Sequence, residues 1–431
     1  MDVNKKKIVE ITGKHLKKVV RSLGATKNHF VKTQIRELKN QMAYTLRADE
    51  ILEELDSQAD KEITVDTYIA TMNLRHAHEN CDESAFLNKM IPGNVIVSTI
   101  STIDYFIFEV LHTLLDYDKN LANSIDIKQF QYKDIQGLKR IQDVREYCLS
   151  TYLESLFFGS HDELFETMSK KFNLDSIKKI TRYKDFVFVT ELRNIIVHHD
   201  SKISLKFKTD MKKYKIDYTK YNFFNKNGYI SLNSDNVLWI IETSLVIALQ
   251  IYLEICEHYA GKNSKLNDEY TTTINGICVD LISSGYSKVC YDIYDIMLSR
   301  EQYIKDYHLF SINKALCLKK MNKREEMVHF LDEVNWTKAS QDIILARNIL
   351  LENYEVAVEH MDKVNLLNWE CGYQDWPLCT SFVKTELFKE KYASVYGHEY
   401  EKKVTRGKLT EEEVLKIIEE YQKKKKVTTK G

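Results

Sequence analysis

Apolar residues recur at helical spacing along most of the chain. Ile8, Ile11, Leu16, Val19, Val20 and Leu23 set the first stripe, and residues 4–58 read as two amphipathic helices broken near Gly24. A polar stretch follows to about Glu83, with Thr64-Val65-Asp66 suited to a helix start. Pro92-Gly93 is the strongest break in the first half. An apolar helix is predicted over 95–115. Ser98, Ser101, Asp104, Glu109 and His112 interrupt it, which suits a buried core helix rather than a membrane span. Residues 135–172 read as helix with Leu138, Ile141, Val144, Leu149, Leu153 and Phe157 on one face, and 184–199 as another helix. The period then falls to two: Ile203, Leu205 and Phe207 alternate with Ser204, Lys206 and Lys208. With the Asn227-Gly228 turn signal and Tyr229-Ile230-Ser231-Leu232 as a return strand, this predicts a small β-hairpin over 203–232. Ser234 or Asp235 caps a long apolar helix over 236–259.

Gly261-Lys262-Asn263-Ser264-Lys265 reads as an interdomain linker. Beyond it the pattern repeats. Asn322-Lys323-Arg324-Glu325-Glu326-Met327 is echoed by Glu352-Asn353-Tyr354-Glu355-Val356-Ala357, and Leu331-Asp332-Glu333-Val334 by Met361-Asp362-Lys363-Val364. Gly285-Tyr286-Ser287-Lys288-Val289 is a weaker, earlier copy. Helix, polar turn and helix at this period predict stacked helical hairpins. Residues 270–366 resemble tetratricopeptide repeats in hairpin period, without the tryptophan–leucine–glycine–tyrosine consensus. Residues 410–422 add an acidic-start helix capped by Thr410 that runs into Lys423 to Lys426.

Composition sharpens the picture. In 431 residues there are only 2 prolines and 13 glycines, which favours long helices and short links. The apolar fraction of 44% and charged fraction of 29% are those of a globular chain. A formal net charge of −1 confines any nucleic-acid surface to a local patch. The 8 cysteines, at 81, 148, 256, 278, 290, 317, 371 and 379, show neither zinc-ligand nor redox spacing. A reduced, cytoplasmic protein is expected, and the start of the chain lacks an apolar run fit for a signal peptide. The expected fold is mainly α in three parts: a helical segment over 1–90, a helical bundle with the β-hairpin over 91–262, and helical hairpins with a basic tail over 266–431.

The chemistry concentrates in Arg193-Asn194-Ile195-Ile196-Val197-His198, followed by His199 and Asp200. Guanidinium and imidazole are what metal-free RNA cleavage needs. The imidazole moves a ribose 2′-hydroxyl proton, and the arginine holds the phosphate as charge builds on it. Arg193-Asn194 with His198, preceded by Glu191 and downstream of an apolar helix, resembles the motif of the HEPN ribonuclease family. The resemblance spans residues 90–260. It implies an up-and-down bundle of about four helices that dimerises, with the two motifs meeting at the interface in one metal-independent site. It implies catalytic Arg193 and His198, Asn194 as the supporting polar residue, and a role in toxin–antitoxin or antiviral defence. The β-hairpin would lengthen the family's usual link between the last two helices. The same spacing occurs at Arg324–His329, where Glu325 replaces the amide and the bundle context is missing.

On an ideal helix Asn194 and His198 share a face, while Arg193 points about 140° away from His198. That separation favours a site completed by a second copy, through the 95–115 and 184–199 helices. The competing arrangement pairs Arg193 with a buried acid, Asp104 or Glu109, and packs His198 in the core. The two can coexist, with Asp104 or Glu109 orienting Arg193. A metal at His198-His199-Asp200 is disfavoured, because adjacent helical residues diverge and Arg75-His76-Ala77-His78 is the only other histidine cluster. Lysines interleaved with tyrosines over 211–222 suit either RNA stacking or a solvated surface. No glycine-rich phosphate loop and no nucleophile elbow is present. The expected function is an endoribonuclease acting on RNA, with tRNA and mRNA as candidate targets, without cofactor or metal and away from membranes. Its C-terminal repeats would sense a protein or peptide trigger. The alternative is a non-catalytic, dimeric interaction protein that binds a peptide or protein through those repeats.

Overall fold

A computed structural model describes residues 3–56, 65–125, 132–261 and 263–402. The expected helix at 410–422 and the Lys423 to Lys426 run lie outside these residues, as does Lys262 of the expected linker. The described residues are mainly helical. Along the first half run α1 (Val3–Asp56), α2 (Val65–Tyr117), α3 (Lys119–Ser124), α4 (Tyr132–Ile135), α5 (Ile141–Leu156), α6 (His161–Lys171), α7 (Tyr183–His198), α8 (Leu205–Tyr214) and α9 (Ser234–Ala260). Then come α10 (Ser264–Ser283), α11 (Ser287–Leu298), α12 (Tyr307–Lys320), α13 (Arg324–Glu333), α14 (Gln341–Leu351), α15 (Tyr354–His360), α16 (Leu366–Asp375) and α17 (Glu386–Tyr396).

The chain divides into two compact units. The first is Met1–Tyr307 with Cys317–Asn322, and the second is His308–Leu316 with Lys323–Gly431. In the first, α9 is the central element: Ile240, Ile241, Leu245, Leu249, Ile251 and Leu253 are wholly buried. Each such side chain contributes about 1.5–3 kcal/mol by leaving water. Helices α1, α2, α7, α10 and α11 all pack against α9. Two elements are apolar and long enough to span a membrane by length and composition, Ile69–Tyr117 and Ser234–Ala260. Of their most apolar windows, 50% and 78% respectively lie buried inside the protein. In the second unit, α14 and α15 pack as a hairpin. A close-packed aromatic group, including Tyr373, Phe382, Phe388 and Tyr392, joins α16 to α17.

Four local expectations are corrected. α1 runs unbroken through Gly24. A mid-helix glycine costs about 1 kcal/mol, and packing of Leu16, Val19, Leu23 and Phe30 outweighs it. Pro92 sits inside α2 rather than ending a helix. Its lost hydrogen bond and ring clash cost about 3 kcal/mol, offset by the buried Val95, Ile96, Ile100 and Ile103 that follow. The β-hairpin is not formed. Residues 205–214 are helix, because Ser204 Oγ accepts from the Phe207 amide at 3.1 Å and caps the turn. Phe207 and Met211, one turn apart, are buried, while Leu205 is 82% exposed. Only isolated bridges, Lys202 to Tyr229 and Phe224 to Ile230, remain of the pairing. The Asn227-Gly228 turn does form, with Gly228 at φ +78° and Asn225 Oδ1 accepting from the Asn227 amide at 2.9 Å. The predicted 135–172 helix is also interrupted between α5 and α6, and Ile141 on its expected apolar face is 85% exposed.

Candidate active site

The α7 helix carries the arginine–histidine motif. Phe186, Val187, Phe188, Val189, Leu192 and Ile195 anchor it in the core, against α2, α6 and α9. Gly93 of α2 faces Ile196: a β-carbon there would make an ordinary 3.5 Å contact with Ile196 Cγ2. The last turn of α7 projects outward. His198, His199 and Asp200 are exposed, so His198 does not pack in the core. Asp200 and Ser201 then take left-handed backbone, at φ +48° and +59°.

Arg193 and Asn194 are half-buried, and their side chains touch. Arg193 Nη1 donates to Asn194 Oδ1 at 3.2 Å, and Asn194 Nδ2 donates to Glu191 Oε2 at 3.3 Å. Among the described residues Arg193 has no ion-pair partner, and its buried Nε has no hydrogen-bond partner. Both acids that could have consumed it bind histidines instead. Asp104 Oδ1 lies 2.6 Å from His161 Nε2, and Glu109 Oε2 lies 3.7 Å from His15 Nε2. The guanidinium therefore keeps its charge for something else. Burial pushes the Glu191 carboxyl above its ordinary range, with the Asn194 amide opposing. A raised pKa in the folded state means that ionising Glu191 costs stability as pH rises above the ordinary glutamate value. Glu191→Gln keeps an oxygen for Asn194, so it should raise the melting temperature near neutral pH. The gain should vanish around pH 4. Thermal melts at the two pH values check this, and an unchanged neutral-pH melt would contradict it.

Two adjoining clefts open on this helix. One, of about 630 Å³, is lined by Glu191, Arg193, Asn194, His198 and His199, with Lys206 and Lys213 of α8 at its edge. The other, of about 540 Å³, is lined by Asp104, His161, Arg193 and Asn194. Phe157 to Ser160, Arg193 and Asn194 border both, and Phe158 is 87% exposed there. The expected catalytic trio thus meets in one cleft within a single chain, despite its angular spread on the helix. Asp104 belongs to the neighbouring cleft, and Glu109 lines neither. The second motif match, Arg324, is spent on Glu352 at 2.7 Å.

Sequence reasoning missed His161. Its signal was Ser160-His161-Asp162-Glu163, a helix-start box inside the stretch read as continuous helix. In the Lys–Tyr segment over 211–222 the lysines are exposed, and one ring serves the fold. Tyr221 stacks on Phe188 at 4.1 Å between ring centroids, and its hydroxyl donates to Asp185 at 2.5 Å. This ring braces α7. Among the described residues, the trio with ligand atoms within 4.8 Å of one another is His112, Asp116 and Glu146. Arg145 already donates to Asp116 at 2.9 Å, which disfavours a cation there. Comparison with known protein families, characterised proteins and solved structures finds no match.

Proposed function

We propose that the chain is a metal-independent endoribonuclease of HEPN type, with Arg193, Asn194 and His198 as its core. The observation that carries this reading is an uncommitted guanidinium beside an exposed imidazole in one cleft. Of the acids beside it, Asp104 is held by His161 and Glu191 by the Asn194 amide. Arg193 holds the scissile phosphate, and Asn194 fixes the arginine. His198 takes the 2′-hydroxyl proton or protonates the leaving 5′-oxygen. Lys206 and Lys213 add cations along the path of a single strand, and the exposed Phe158 ring offers a face on which an unpaired base can stack. The products are a 2′,3′-cyclic phosphate and a 5′-hydroxyl.

The proposal includes a homodimer that sets two such clefts side by side, and RNA as substrate, tRNA or mRNA among the candidates. It also includes a role in defence or toxin–antitoxin control. The tetratricopeptide-like helix pairs of the second unit would receive a protein or peptide trigger, since stacked hairpins present extended binding surfaces. The test is the purified chain on total RNA in excess EDTA. Cleavage should persist, leaving cyclic phosphate ends. Intact RNA, or cleavage lost on chelation and restored by a divalent cation, would overturn the proposal.

A further inference from the structure

His161 lines one of the two clefts that Arg193 borders, and His198 lines the other. It is the first residue of α6, and its place is fixed by a reciprocal cap. Ser160 Oγ accepts from the Glu163 amide at 3.3 Å, and Glu163 Oε2 accepts from the Ser160 amide at 3.2 Å. The ring meets Phe186 edge-on, with centroids 5.6 Å apart. Nε2 lies 2.6 Å from Asp104 Oδ1. A carboxylate only accepts, so Nε2 carries a hydrogen, and in the neutral ring Nδ1 is then the nitrogen with the free electron pair. Such an oriented imidazole beside a carboxylate is the form a general base takes. The charged groups around it are Asp104 on α2, Glu154 on α5, and Glu191 and Arg193 on α7.

Transphosphorylation of RNA moves two protons. The 2′-hydroxyl loses one as its oxygen bonds to phosphorus, and the 5′-oxygen gains one as its bond to phosphorus breaks. Two imidazoles, one in each of the clefts that share the guanidinium, can serve both transfers in one event. We infer that His161 is a second catalytic residue of this site, the base that takes the 2′-hydroxyl proton while His198 protonates the leaving 5′-oxygen. Asp104 is its positioning residue. After each turnover His161 has gained a proton and His198 has lost one, and exchange with water resets both. The inference rests on the nuclease reading above. It departs from a composite dimer site, because one chain then supplies acid, base and phosphate ligand.

The test uses the full chain on a single-stranded oligoribonucleotide in EDTA. His161→Ala should lower kcat by about 100- to 10,000-fold, with KM little changed, and should remove the acidic limb of the pH profile. Added imidazole should restore part of the rate. His198→Ala should remove the basic limb instead. His161→Gln can keep a hydrogen bond to Asp104 but has no basic nitrogen, so it should be folded and equally slow. Asp104→Asn should displace the acidic limb without erasing it. A His161→Gln chain that keeps wild-type kcat and both limbs, while Arg193→Ala is dead, overturns this inference and leaves the nuclease reading standing. A wild-type chain that leaves RNA intact overturns both.

Discussion

Under the proposed ribonuclease reading, Arg193→Ala is expected to cut RNA cleavage sharply and leave the fold in place. The loss in kcat is expected to be about 100- to 1,000-fold or more, the scale for removing one preorganised donor to a developing anion. Little stability goes with it. Arg193 makes one side-chain hydrogen bond, to Asn194 at 3.2 Å, worth about 1 kcal/mol. The substitution also removes a buried Nε that has no hydrogen-bond partner. Arg193→Lys should recover only part of the rate, because a point charge cannot hold two phosphate oxygens as a guanidinium fork does. Single-turnover cleavage beside circular dichroism checks both halves. Full activity in Arg193→Ala would remove the arginine from the mechanism. Loss of activity together with loss of helix would make its role structural.

Arg300→Ala is expected to cost about 3–5 kcal/mol, the penalty for stripping a buried charge of its partner. Arg300 donates to Glu254 at 2.7 Å and to Glu257 at 2.5 Å, and the Tyr303 hydroxyl also reaches Glu257 at 2.5 Å. The two carboxylates raise the Arg300 pKa against the opposing effect of burial. Both lie on α9, the helix on which α7 rests, so the site loses its support as well. Urea unfolding measures the effect, and a midpoint within error of wild type would refute it. A chain cut after Tyr259 loses Arg300 and Tyr303 together. It also loses Asp292, whose carboxylate lies 2.7 Å from Arg182 at the start of α7. It should be insoluble or unfolded by circular dichroism, rather than a separable nuclease.

The helical character was legible because its signals are local and dense. The apolar stripes of α7 and α9 and the scarcity of proline left little else to form. What escaped was decided by contacts far apart in sequence. Nothing near Gly24 or Pro92 announces the packing that carries α1 and α2 through them. The alternation at 203–208 fits strand and helix equally over so short a run, and only the Ser204 cap with Met211 one turn beyond Phe207 breaks the tie. At the site, Arg193, Asn194 and His198 could be picked out because they share a helix. The pairing of Asp104 with His161, from α2 and α6, could not. An ion pair between distant segments leaves no periodic trace. The helical wheel separates Arg193 from His198, and the cleft that both line has no signature on the wheel.

Helix α1 is not held equally along its length. Gly13 lies within van der Waals reach of Tyr252 on α9, and buried positions are dense from Ile8 to Phe30. Beyond Phe30 they thin to Glu37, Ala48 and Ile51, while Ile35, Leu38, Met42 and Leu46 face water. A segment with so few buried neighbours opens locally for far less than the global unfolding free energy. Amide exchange is expected to slow along α1 from Asp56 toward Gly13, so one unbroken helix joins a sparsely buried end to a densely buried one.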